Sequence, residues 1–219
     1  MTESFASVAV KVWGDLALFT RPEMKSERVS YPVLTPSAAR GVLESIFWKP
    51  EMEYRVEEIW VLKPVRYFSI VRNEVNGRAS ERTAREWQTK GGYYDATEGK
   101  NRAQRHSLAL REVAYVIHAR IVVRTGVGEY PAKYHDQFER RVRRGQCFTR
   151  PYLGCREFAA SFGPPTATDR PLDITDDLGT MLLDLDYATD GSGRGIPRFF
   201  QAQIRNGVLR PQAAPMVGG

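Results

Sequence analysis

The chain has 219 residues, enough for one large domain or two small ones, with 32 Lys and Arg against 26 Asp and Glu and a net charge of +6. Hydrophobic residues make up 42% and charged residues 26%, which is the composition of a core-forming chain and excludes disorder. No apolar run spans a bilayer, residues 1–4 lack the basic start of a signal peptide, and two cysteines and three histidines exclude a disulfide framework and leave little for a metal centre. These features predict a soluble, cytoplasmic protein with an arginine excess to explain.

Residues 5–13 alternate, with Val8, Val10 and Val12 on one side, and predict a strand ending at Gly14 and Asp15. Thr35 and Pro36 form a helix start, as cap and first helical residue. Ala38, Val42 and Ile46 then recur on one helical face, with Ala39 and Leu43 beside them, until Lys49 and Pro50 stop the helix. Residues 56–71 are rich in β-branched and aromatic side chains and read as one long strand, or two broken near Pro64. Residues 72–111 are polar and too long for an ordinary loop, which marks a functional or mobile insertion. Residues 113–123 are the clearest strand, with Val113, Tyr115, Ile117, Ala119, Ile121 and Val123 on one side.

After a break at 126–131, Tyr134, Phe138 and Val142 mark a second helix that Gly145 ends in a left-handed cap. Residues 156–162 are expected to form a further strand. Strand, helix, strand, twice over, predicts an α+β, ferredoxin-like domain over residues 1–165, with its helices on one face of the sheet. Runs at 178–187 and 198–205, with the hairpin signal Asn206–Gly207, predict a small antiparallel β-sheet extension over 166–219 whose last eight residues are frayed.

Charge is segregated along the chain. Residues 169–190 hold seven aspartates and one arginine, whereas 133–156 hold seven basic residues against Asp136 and Glu139. Residues 72–111 hold nine basic and five acidic residues, with Trp87, Tyr93 and Tyr94 among them. Guanidinium matches phosphate in a bidentate fork and stacks on flat rings. Arginines interleaved with aromatics therefore point to RNA or single-stranded nucleic acid, where bases stack and phosphates pair.

Three histidines are available for chemistry. His118 lies mid-strand on the face opposite Tyr115 and Ile117, and His106 lies in the basic insertion. His135 follows Lys133 and Tyr134 at a helix start, where free N–H groups and the dipole favour a phosphate. It works there or pairs with Glu139 on the surface. Inside a regular helix, residues 133 and 135 point about 200° apart. They converge only if Lys133 precedes the helix or the first turn is irregular. Without a metal-ligand motif, a site here is a metal-free acid–base site of His, Lys and Tyr. RNA suits it, since the 2′-OH attacks the adjacent phosphate once a base removes its proton.

The segments VWGDLALFT at 12–20, GVLESIFWKP at 41–50, LKPV at 62–65, REVAY at 111–115 and KYHDQFERRVRRGQCFTRPYLGCREF at 133–158 together resemble one family. It is the Cas-five protein of subtype I-C CRISPR systems, variant d, matched to about Phe162 with a later echo at 178–182. The resemblance implies the same ferredoxin-like domain with a C-terminal β-extension. It also implies metal-independent cleavage of precursor CRISPR RNA at the repeat hairpin, without a cofactor, then retention of the 5′ handle in the interference complex (Cascade). In this family a tyrosine near the end of the first helix and a Lys-His pair carry the chemistry. The lysine matches Lys133, the histidine's column holds Tyr134 with His135 next, and the tyrosine's column holds Phe47. The roles expected on this match are His135 as general base, Lys133 as electrostatic stabiliser and Tyr134 as orienter or acid. Arg40, Lys49, Arg105, Arg140, Arg141, Arg143, Arg144 and Arg150 are expected on the RNA. The alternatives are a non-catalytic subunit that holds the crRNA 5′ end, and a non-specific binder of double-stranded DNA.

Overall fold

A computed structural model describes residues 5–24, 26–75, 80–93, 101–123, 130–187, 193 and 195–211. Residues 94–100, residues 124–129 with most of the break expected at 126–131, and the tail expected to fray, 212–219, lie outside the described residues. The architecture is α+β. Among the described residues, nine strands form one sheet: β1 (Phe5–Ala17), β2 (Arg28–Val29), β3 (Met52–Val61), β4 (Tyr67–Val75), β5 (Arg102–Val123), β6 (Ser161–Gly163), β7 (Asp176–Tyr187), β8 (Gly195–Arg205) and β9 (Val208–Leu209). The helices among them are α1 (Pro36–Ile46), α2 (Glu81–Lys90) and α3 (Pro131–Arg144).

The sheet order is β6–β1–β5–β3–β9–β8–β7, each neighbour antiparallel. Val8, Val10 and Val12 of β1 and Tyr115, Ile117, Ala119 and Ile121 of β5 share one buried face. Ala39, Val42, Leu43 and Ile46 of α1 and Tyr134, Phe138 and Val142 of α3 pack onto it. Met181, Phe200, Ala202, Ile204 and Leu209 continue that core into the C-terminal strands. Asn206 and Gly207, at φ 49° and 73°, make the two-residue turn between β8 and β9. Two successive left-handed residues match the strand twist, which is why Asn-Gly is chosen there.

Three expectations are corrected. Both ends of the 72–111 stretch belong to a long hairpin: β4 runs to Val75, β5 already begins at Arg102, and the two pair from Tyr67↔Leu110 to Val75↔Arg102. Polar alternation on a two-stranded arm looks like a loop, because neither face supplies a hydrophobic signal. Within it, α2 is capped by the Ser80 hydroxyl and buries no residue. Residues 156–162 are mostly not a strand; only 161–163 pair with β1. The preceding stretch is a tight loop in which Leu153 N–H donates to Phe158 O and Ala160 N–H to Pro151 O. Gly154 sits at φ 86° with its would-be Cβ 2.0 Å from Leu18 O, so no larger residue fits. That loop delivers Cys155 and Phe158 to a second cluster with Leu18 and Ala109. Finally, β1 does not end at Gly14 but continues to Ala17.

After β6 the chain crosses the helix-free face of the sheet. Asp169, buried, bonds the Lys11 ammonium at 2.5 Å and the Thr166 N–H at 2.8 Å. Leu172 N–H then donates to Val61 O at the end of β3. Lys11 alternates with core-facing Val10 and Val12, so this strap lies opposite the helices. Ala114 and Val116, which face the same way, are buried as well.

Candidate active site

The first turn of α3 carries Lys133, Tyr134 and His135, the residues expected to do the chemistry. Tyr130 is its N-cap without a side-chain cap bond, and Pro131 occupies the first turn, where its missing N–H costs nothing. Lys133 is therefore inside the helix, and Lys133 N–H donates to Tyr130 O at 3.1 Å. Tyr134 is 3% exposed, while Lys133 is exposed and His135 half-buried. At 100° per residue the lysine and histidine leave the helix on opposite sides of the buried tyrosine. Of the two conditions for their convergence, a lysine ahead of the helix is not met. His135 Nδ1 lies 3.1 Å from Asp136 Oδ1, not against Glu139.

Tyr134 faces inward and joins the two helices. Its ring centroid is 6.3 Å from that of Phe47, and its hydroxyl donates to Glu51 Oε1 at 3.0 Å. Phe47, which the resemblance matches to the family tyrosine, is fully buried and ends α1 in an extended conformation. The end of α1 is satisfied from outside. Phe148 and Thr149 N–H donate to Ser45 O, Arg141 Nη1 donates to Ile46 O at 2.6 Å, and Tyr54 Oη donates to Phe47 O at 2.8 Å. Each is a partner for a helix-terminal carbonyl or its neighbour. Burial pushes the Tyr54 hydroxyl well above the usual phenol range. The Arg141 guanidinium also lies 5.2 Å from the Phe47 ring centroid.

The arginines expected on RNA separate into two groups. Arg140, Arg143, Arg144 and Arg150 are exposed, as is Lys49 in the loop after α1. Arg141 is half-buried and occupied with α1. Arg40 is bound at 2.7 Å by both Glu44 and Asp184; against the penalty of burial, these carboxylates hold its pKa above the ordinary arginine value. Arg105 is half-buried on the β4–β5 arm opposite Arg72. Arg40, Arg141 and Arg105 are thus not part of the exposed set around α3.

Sequence reasoning passed over exposed aromatics at this end of the molecule: Trp48 is 49%, Tyr130 79% and Phe148 82% exposed. The available signal was an aromatic beside a cation, Trp48 with Lys49 and Phe148 two residues before Arg150. His118 is on the helix-free face, its ring 4.5 Å from that of Trp60. Burial pushes its pKa down, against Glu58 and Glu57, and its Nε2 has no hydrogen-bond partner among the described residues. His106 is exposed on the arm. Among the described residues no group of three His, Cys, Asp or Glu is placed to hold a metal ion, and no helix is long and apolar enough to cross a membrane.

Known proteins share both the sequence and the fold of this chain. The model of the family Cas_Cas5d, described as CRISPR-associated protein (Cas_Cas5), matches residues 7–212. The chain is 45% identical to the CRISPR pre-crRNA endoribonuclease Cas5d of Thermus thermophilus, over 95% of this chain and 92% of the relative. It is 42% identical to the protein of the same name from Mannheimia succiniciproducens, over 92% and 93%. A crystal structure described as a CRISPR-associated protein superposes with a TM-score of 0.69 at 23% identity, covering 97% and 95% of the two chains, a likeness of fold. The chain belongs to the Cas5d family of CRISPR-associated proteins.

Proposed function

We propose that this chain is a metal-independent endoribonuclease that cuts precursor CRISPR RNA in the repeat hairpin and stays on the crRNA 5′ handle in the interference complex. The observation that carries the reading is the first turn of α3, with Lys133 and His135 on the surface either side of Tyr134 and exposed arginines along the rest of the helix. His135 takes the proton of the 2′-OH, O2′ attacks phosphorus, and the P–O5′ bond breaks. The O5′ leaving group takes up a proton, giving a 2′,3′-cyclic phosphate and a 5′-OH. Lys133 stabilises the charge that develops on the phosphoryl oxygens. Tyr134, with its hydroxyl on Glu51, is a positioning residue that fixes α3 to the loop after α1. Because the two side chains diverge, the scissile phosphate lies across the turn rather than between parallel groups.

The strand order supports a ferredoxin-like domain over residues 1–165. Taking β1, β3, β5 and β6 as its four strands, the order is fourth, first, third, second, with α1 and α3 on one face. The β-extension expected over 166–219 has β7, β8 and β9 among the described residues. A second reading, a non-catalytic subunit that holds the 5′ handle, is favoured by Phe47, which carries no hydroxyl where the family has one.

The deciding experiment incubates the protein with repeat RNA in EDTA, with and without a 2′-deoxy nucleotide at the cut. Cleavage that survives EDTA and vanishes with the deoxy substitution supports the enzyme. Lys133→Ala and His135→Ala are each expected to slow cleavage at least about a hundredfold, the range of one general acid–base group. Wild-type rates in both variants would overturn the residue assignment. Tight binding without cleavage would support the second reading, and equal competition by duplex DNA would favour a general nucleic-acid binder.

A further inference from the structure

We propose that Trp48 is a base-stacking platform for the RNA nucleotide beside the scissile phosphate; this deepens the endoribonuclease reading and rests on it for the position of that phosphate. Residues 47–51 form a short loop whose two ends are both held against Tyr134. Phe47 meets the tyrosine ring at 6.3 Å and Glu51 accepts its hydroxyl at 3.0 Å. Tyr134 is flanked in sequence by Lys133 and His135, so this loop borders the turn that carries them. Trp48 follows directly on Phe47, its Cα about 3.8 Å further along the chain.

The alternation of an extended backbone separates the two rings. Phe47 is extended, at φ −155° and ψ 128°, so consecutive side chains point to opposite sides. Phe47 is 1% exposed and Trp48 49% exposed. An indole is the largest apolar side chain, and here about half of it stays in water beside a fully buried neighbour. A flat ring next to a cation is the arrangement that takes a nucleobase: the base stacks and the ammonium of Lys49 meets the phosphate. The pattern recurs across the same helix end. Phe148, 82% exposed, is tied through its N–H to Ser45 O, three residues before Trp48, and is followed by Arg150. Two exposed rings with nearby cations at one helix terminus suit a single strand with splayed bases better than a duplex, whose bases are already stacked.

The test uses repeat RNA carrying one 2-aminopurine at successive positions on either side of the cut, with a 2′-deoxy nucleotide blocking cleavage. At one position, wild-type protein is expected to quench the fluorophore severalfold. Trp48→Ala should abolish that quenching and weaken binding roughly ten- to a hundredfold, the range of one base–aromatic stack, while Trp48→Phe restores most of both. Circular dichroism should be unchanged, since the indole is not in the core. Equal quenching by wild type and Trp48→Ala at every position would overturn the proposal, as would wild-type affinity in Trp48→Ala. If the wild type binds but never cuts unmodified repeat RNA, the endoribonuclease reading fails, whereas Trp48-dependent quenching still decides the stacking.

Discussion

Arg141 looks like its neighbours in the sequence ERRVRRG, yet the structure gives it a different task, and replacing it should separate folding from RNA binding. Its guanidinium donates to Ile46 O at 2.6 Å and lies 5.2 Å from the Phe47 ring centroid. A hydrogen bond from a charged donor contributes about 1.5–3 kcal/mol. A partly desolvated cation–π interaction adds ~1 kcal/mol. Arg141→Met keeps the aliphatic stem and removes both, so the expected destabilisation is about 3 kcal/mol, a midpoint lower by roughly 6–12 °C for a chain of this size. Arg140, Arg143 and Arg144 are exposed, and their combined replacement by Ser should change stability by no more than ~1 kcal/mol. The same triple variant should flatten the salt dependence of RNA binding by about two units of slope, at ~0.7 for each single-strand phosphate no longer neutralised. Urea denaturation and filter binding across a salt series read the two effects. An Arg141→Met protein as stable as the wild type, or a triple variant with an unchanged salt slope, would refute this division of labour.

Two other perturbations address the core of the site and the opposite face. Phe47→Tyr puts a hydroxyl at a position that is now closed; an unpaired hydroxyl there should cost about 1–3 kcal/mol and leave the single-turnover cleavage rate unchanged, whereas a faster enzyme would mean that the hydroxyl reaches the phosphate. His118, which burial holds below its ordinary value of 6.5, is protonated more readily in the unfolded chain than in the folded one. Stability should therefore be independent of His118 above the unfolded value and fall as pH drops through about 6.5 towards 5. Asp169 behaves differently: the bond from Lys11 lowers its pKa further below 3.8, so its contribution stays constant over that range and is lost only in stronger acid. His118→Phe keeps a ring against Trp60 and should flatten the decline in melting temperature between pH 7 and 5. A decline as steep as the wild type's would show that other groups cause it.

The sequence made the core legible where periodicity and burial coincide. Val8, Val10 and Val12, the α1 face from Ala39 to Ile46, and Tyr134, Phe138 and Val142 of α3 are buried as their spacing requires. Gly145 ends α3 at φ 62° and ψ 26°, because a left-handed residue there lets its N–H reach back to Arg141 and Val142 carbonyls. What was illegible depends on partners far apart in the chain. The β4–β5 arm is defined by pairing between 67–75 and 102–110, and the strap across the helix-free face by Lys11 meeting Asp169, 158 residues later. At the site, residue types were legible but direction was not. Nothing in KYHDQF says that Pro131 already begins the helix, and that one fact puts Lys133 inside it and sends Lys133 and His135 apart.

Pairing, rather than total charge, separates the two faces of this sheet as nucleic-acid surfaces. On the helix-free face Lys11 is bound by Asp169, Arg120 by Glu57, Arg55 by Glu53 and Arg210 by Glu58. The strap occupies part of that face, and each of these cations already faces a carboxylate, so a phosphate arriving there must displace one. Around the helix ends, Arg140, Arg143, Arg144 and Arg150 form no ion pair among the described residues, and Lys49 and Trp48 border the turn that holds Lys133 and His135. An anion arriving at those arginines displaces water and counterions only. The acidic residues concentrated at 169–190 contribute to the same asymmetry, since Asp169 neutralises Lys11 and Asp184 neutralises Arg40 within the fold. The net charge of +6 is thus the remainder after internal pairing, and Arg140, Arg143, Arg144, Arg150 and Lys49 place part of it along α3 and in the loops that cap α1.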